Sequence, residues 1–68
     1  LAQARNAAEI ARQQMAQDSL QVARYKRLLD ANSIARAEYE KVLLQYQTAQ
    51  TNYANANENY NVIKQQAE

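Results

Sequence analysis

The chain contains no glycine, proline, cysteine or histidine. Without cysteine there is no disulfide framework and no thiolate metal site, and the composition fits either redox compartment. Without glycine and proline the usual turn residues are missing, so any reversal of the chain has to be built from other side chains. Without histidine and cysteine the commonest general base and the commonest soft nucleophile are gone. The carboxylates sit beside basic neighbours at helical spacing, Glu9 with Arg12 and Glu38 with Lys41, as surface charges do. These absences predict a chain that is not an enzyme, with no catalytic residue, no cofactor and no metal. Glu38 and Glu40 are two residues apart and on a helix point away from each other, so they make no ion site. Charge of one sign is also lacking: eight basic and seven acidic residues leave a net charge of +1. Scattered along the sequence, they suggest no basic stripe for phosphates, and no nucleic-acid partner is expected. The longest apolar runs are two or three residues, too short for a membrane-spanning helix or the core of a signal peptide.

What is present favours one structure. In 68 residues there is room for one small domain with little interior. Alanine, glutamine, asparagine and charged residues dominate and β-branched residues are few, so propensity favours helix nearly throughout. Tyr39, Tyr46, Tyr53 and Tyr60 recur at one heptad position, and Val42, Ala49, Ala56 and Ile63 follow three residues later, completing a coiled-coil seam. The first half carries the same pattern with Leu1, Ala8, Met15, Val22 and Leu29 at one position and Ala4, Ala11, Asp18 and Tyr25 at the other. Only Asp18 breaks it.

The phase of the repeat resets at Asp30-Ala31-Asn32-Ser33-Ile34. Asparagine tolerates the left-handed conformation that ends a helix, and serine is a preferred N-cap, so Asn32 can close one helix and Ser33 open the next. A competing reading starts the second helix at Ala35 and places Glu38 in its first turn, where a negative charge suits the helix dipole. Folding the chain about Asn32 pairs Leu29 with Ala35, Tyr25 with Tyr39, Val22 with Val42, Asp18 with Tyr46, Met15 with Ala49 and Ala11 with Tyr53. Ala8 with Ala56, Ala4 with Tyr60 and Leu1 with Ile63 complete the register. Several layers set a large side chain against a small one, which keeps the interaxial distance even. In the one polar layer, Asp18 is expected to accept a hydrogen bond from the Tyr46 hydroxyl.

The fold class predicted is therefore all-α, a two-helix antiparallel coiled-coil hairpin: helix 1 over about 1–31, a turn over about 32–34 and helix 2 over about 35–68, each helix roughly 45 to 50 Å long. The heptads alone also permit extended chains in a parallel oligomer, but the matched layers favour the hairpin. Leu1 to Ala4 reads as mid-helix with neither cap nor starting methionine, and Glu68 is equally abrupt, which predicts an excised piece of a longer protein. The tyrosine stripe (Tyr25, Tyr39, Tyr46, Tyr53 and Tyr60, with Val42) is read as structural seam rather than as a stacking platform. Asn52, Asn55, Asn57, Asn59 and Asn61 fall off the seam. They read as a solvated face, with lateral hydrogen bonding to adjacent copies as the functional alternative.

The expected point of contact is the tip, where Arg24-Tyr25-Lys26-Arg27-Leu28-Leu29-Asp30 gathers three cations and two leucines beside the reversal. Cations near a helix C-terminus also complement the macrodipole, which is the plainer role for Lys26 and Arg27. The segment Arg24 to Val42, RYKRLLDANSIARAEYEKV, resembles the α-helical hairpin of bacterial periplasmic adaptor proteins, the membrane fusion proteins of the HlyD type. The residues that carry the likeness are Arg24, Tyr25, Leu28, Leu29, Ile34, Glu38 and Tyr39. The resemblance implies a place in a tripartite efflux pump or type I secretion system in the periplasm of a Gram-negative bacterium. The parent would be anchored at the inner membrane and joined to an inner-membrane transporter through other domains. It also implies contacts with a TolC-like outer-membrane channel through the tip and with other copies of the adaptor laterally. The family's contact residues are an arginine, a leucine and a serine; the first two map onto Arg24 and Leu28. The third maps onto Ala35, a departure that removes a hydroxyl able both to cap helix 2 and to face the channel, with Ser33 expected to take over the cap. The alternative is a spacer hairpin of another assembly, with the same fold and no docking at its tip.

Overall fold

A computed structural model describes residues 2–67, with side-chain surroundings through Gln66. Two helices form, α1 (Ala2–Asp30) and α2 (Arg36–Ala67), in contact along their length. The molecule measures 54 × 14 × 12 Å. Its radius of gyration of 15.6 Å exceeds the roughly 11 Å of a compact domain of this size. Nothing lies beyond the single seam to draw the chain into a globule. α2 is helical straight through its asparagines, each of which disfavours helix by about 0.5–0.7 kcal/mol relative to alanine. The tyrosine seam on the same helix overrides that preference.

Every described seam position in α1, from Ala4 to Leu29, and in α2, from Tyr39 to Ile63, is buried or half-buried. Ala4, Ala8, Val42 and Ala49 are the buried ones, Ala49 the most so at 4% exposed. The tyrosines are half-buried, because a ring longer than the space between two close helices runs over its partner and leaves its hydroxyl at the edge. One open groove brings Gln14 and Asp18 of α1 together with Gln45, Ala49 and Asn52 of α2. A second joins Tyr25 to Glu38 and Val42, and Arg12 lies within electrostatic reach of Tyr53. All three juxtapositions match the predicted register.

The turn is a Schellman motif. The Ser33 N–H donates to the Leu28 carbonyl at 2.8 Å and the Asn32 N–H to the Leu29 carbonyl at 3.0 Å, satisfying two carbonyls that the end of α1 would leave bare. Asn32 sits between them at φ 59°, in the left-handed region that glycine usually supplies. The Ala31 N–H still donates to Arg27 in the helical manner.

Three expectations are corrected here. Ser33 does not cap α2: its backbone is committed to closing α1, and two residues separate it from the first helical residue, Arg36. The cap position belongs to Ala35, which has no side-chain acceptor, and the Glu38 N–H donates instead to the Ala35 carbonyl at 3.1 Å. The layer of Leu29 against Ala35 does not form as drawn. Ala35 lies outside the helix and is exposed, while Ile34, half-buried, is the turn's apolar residue. Ile34 and Tyr39 hold the two positions of a hydrophobic staple, immediately before the cap and four residues into the helix. Finally, Asp18 accepts its hydrogen bond from Gln14 Nε2 at 3.1 Å, in its own helix, and not from Tyr46. A short carboxylate cannot reach a hydroxyl carried past it at the end of an aromatic ring. The layer of Leu1 against Ile63 lies outside the described residues.

Candidate docking surfaces at the tip and along the stem

At the tip, two backbone hydrogen bonds close the end of α1 and a third opens α2. Arg24 is exposed, about two turns before the reversal. Leu28 is half-buried and its carbonyl anchors the Schellman motif. Lys26 Nζ donates to Asp30 Oδ1 at 2.9 Å across one helical turn, an exposed pair that leaves Arg24 and Arg27 as the outward cations of the last turns of α1. Ser33 and Ala35 are both exposed at the apex. The structure thus brings Arg24, Leu28, Ser33 and Ala35 to one end of the rod. It gives the hydroxyl-bearing and hydroxyl-lacking residues different tasks from those expected.

Charge is uneven along the rod. Residues 24–41 hold five cations (Arg24, Lys26, Arg27, Arg36, Lys41) against three carboxylates (Asp30, Glu38, Glu40), a net +2. The remainder holds three cations against four carboxylates, a net −1. The tip is therefore the positive pole. Glu38 and Lys41 line one groove there without forming an ion pair.

Charge is uneven around the rod as well, which the linear sequence concealed. In an antiparallel pair, the heptad positions flanking the seam face their own kind across it. One flank comprises positions 5, 12, 19 and 26 of α1 with 36, 43, 50, 57 and 64 of α2. It carries Arg5, Arg12, Lys26, Arg36 and Lys64 and no acid. Five of the eight cations thus lie on one side, although they recur only every seven residues, about 10 Å. Carboxylates one turn further round pair with two of them, Arg12 with Glu9 Oε1 at 2.6 Å and Lys26 with Asp30. The hydrogen bond from Arg12, and secondarily its charge, hold the Glu9 carboxyl below the ordinary carboxylate range, while Glu9 in turn raises Arg12. The other flank carries Ala7, Gln14, Gln21 and Leu28 with Glu38, Gln45, Asn52, Asn59 and Gln66. Behind the tip it is made of amides, and both open grooves, one at mid-rod and one near the tip, lie on it. The signal for this sorting lies in the heptad positions beside the seam.

Among the described residues, every side-chain hydrogen bond and both ion pairs stay within one helix. Packing and the turn alone join the two halves. No three metal-ligating side chains cluster among the described residues, and neither helix is long and apolar enough to cross a membrane. No protein-family model, curated protein or solved structure matches the chain.

Proposed function

We propose that this hairpin is the structural and docking module of a periplasmic adaptor of the HlyD type, serving a tripartite efflux pump or type I secretion system. In this reading the parent protein is anchored at the inner membrane of a Gram-negative bacterium. The rod spans periplasmic distance, the tip meets a TolC-like outer-membrane channel, and neighbouring adaptors lie alongside.

The observation that carries the reading is the tip: a closed turn holds Arg24 outward at the positive pole of a rod 54 Å long. A guanidinium so placed can donate two parallel hydrogen bonds to carboxylates or to the bare carbonyls at the end of a partner helix. Leu28, half-buried, supplies an apolar contact beside it. The resemblance of Arg24 to Val42 to adaptor hairpins points the same way. A spacer hairpin has the same rod but makes no demand on its tip, so one experiment separates the readings. In the full-length parent, Arg24→Asp and Leu28→Ser should each lower efflux or secretion at least about tenfold, as the loss of one interface anchor does. Transport at the wild-type level in both, with normal amounts of folded protein, rejects the docking role and leaves the spacer.

A further inference from the structure

Asn32 carries a reactive group that closing the turn does not use. The side-chain amide of asparagine is open to attack by the backbone nitrogen of the next residue, which is the source of its thermal lability. That nitrogen bonds to Cγ, ammonia leaves, and a succinimide ring closes. Water then opens the ring at either carbonyl and gives aspartate or isoaspartate. Only water is consumed, and no electron is transferred. The chain holds seven asparagines, and six lie in helices, Asn6 in α1 and Asn52, Asn55, Asn57, Asn59 and Asn61 in α2. There the attacking nitrogen is bound one helical turn back, and freeing it means unwinding the helix and disturbing the seam. Asn32 alone lies outside both helices, exposed and at φ 59°. The nitrogen that follows it belongs to Ser33, whose short side chain does not crowd the attack, and it is held by one hydrogen bond to the Leu28 carbonyl at 2.8 Å. Opening the turn breaks that bond and the one from Asn32 to Leu29. It also releases a left-handed conformation that L-residues adopt at a cost. An exposed turn opens at the low end of the range of local opening free energies, far below a packed helix.

We propose that Asn32 is the site at which this chain deamidates, and that the product undoes the turn Asn32 makes. Isoaspartate carries the main chain through the former side chain and adds a methylene to it. The N–H groups of residues 32 and 33 then no longer match the spacing of the Leu29 and Leu28 carbonyls. Either product also adds a negative charge at the positive pole, lowering the net +2 of residues 24–41 to +1. The stem keeps its amides, so the change is confined to the tip. This inference holds whether or not the tip docks on a channel.

Peptide mapping by mass spectrometry of the 68-residue chain, aged in mildly alkaline buffer with and without urea, supplies the test. Asn55 is the internal control, since it is also followed by a small residue, Ala56, but lies in the middle of α2. In buffer Asn32 should deamidate at least about tenfold faster than Asn55, with isoaspartate among the products, because its nitrogen is freed by the cheaper opening. In urea, where turn and helix are both lost, the two rates should agree within about threefold. Ser33→Val keeps the backbone N–H but crowds it with a β-branched side chain, and should slow reaction at Asn32 at least about fivefold while leaving Asn55 unchanged. The purified form with isoaspartate at position 32 should lose its helicity at a lower urea concentration than the fresh chain. Equal rates at Asn32 and Asn55 in buffer, a lead of Asn32 that persists undiminished in urea, or aspartate without isoaspartate at position 32 overturns the assignment of the site. An isoaspartate form as stable as the fresh chain overturns its effect on the turn.

Discussion

A single residue decides where this chain reverses. Asn32 occupies a left-handed conformation at φ 59° that costs most residues about 1–2 kcal/mol and asparagine less, because its side chain tolerates the region. Asn32→Ala should therefore destabilise the hairpin by about 1 kcal/mol and Asn32→Gly should leave it unchanged or raise it, as urea unfolding followed by circular dichroism will show. The same measurement tests the bare cap of α2: Ala35→Ser supplies an acceptor for the first N–H groups and should add about 1 kcal/mol. The role of Asn32 was legible in the sequence, since in a chain without glycine little else ends a helix that way. The role of Ser33 was not. Serine's preference for the N-cap is real, but the Schellman closure takes Asn32 and Ser33, the two residues beyond Ala31, and so moves the next start on to Arg36.

At the level of the helices, the heptads specified which faces meet and how tightly. Ala49 is the most enclosed side chain of the seam, and the register sets the longer Met15 against it. Ala49→Leu should overfill that layer and destabilise by about 1–3 kcal/mol. Ala54→Leu, exposed on the same helix, should change thermal stability by no more than about 0.5 kcal/mol. The pairing of α1 with α2 was legible because apolar period and turn position agree. The fate of Asp18 was not, because period alone is blind to reach: an i,i+4 amide from Gln14 was nearer than the hydroxyl across the seam. The sorting of Arg5, Arg12, Lys26, Arg36 and Lys64 to one flank was likewise written at heptad spacing, yet it emerges only once the antiparallel arrangement assigns each position a side.

The whole molecule is a rod whose halves lie against each other, a shape that an extended coiled coil of the same heptads does not share. Spin labels at the exposed positions Gln13 and Thr51 discriminate between the two. Across the hairpin they should be separated by about 25 Å, whereas 38 intervening helical rises would put them about 57 Å apart within one extended chain. A distance distribution dominated by the longer value would rule out the intramolecular hairpin. The overall architecture was readable from composition and period, because a chain whose apolar residues are so largely alanine has one seam to bury and few ways to bury it. The functional surfaces were less so, since Arg24 and Leu28 gain meaning only from being held at one end.

The two helices share no hydrogen bond or ion pair among the described residues, and this has a mechanical consequence. Ala2 and Ala67 are the outer ends of α1 and α2, both remote from the turn, so tension applied between them pulls the helices apart in a peeling geometry, loading one packing layer at a time. The alanine-rich layers at that end would open first and the turn at Asn32 last. Thrust along the axis, by contrast, is shared by two helices side by side. Such a rod resists being pushed far better than it resists being unzipped.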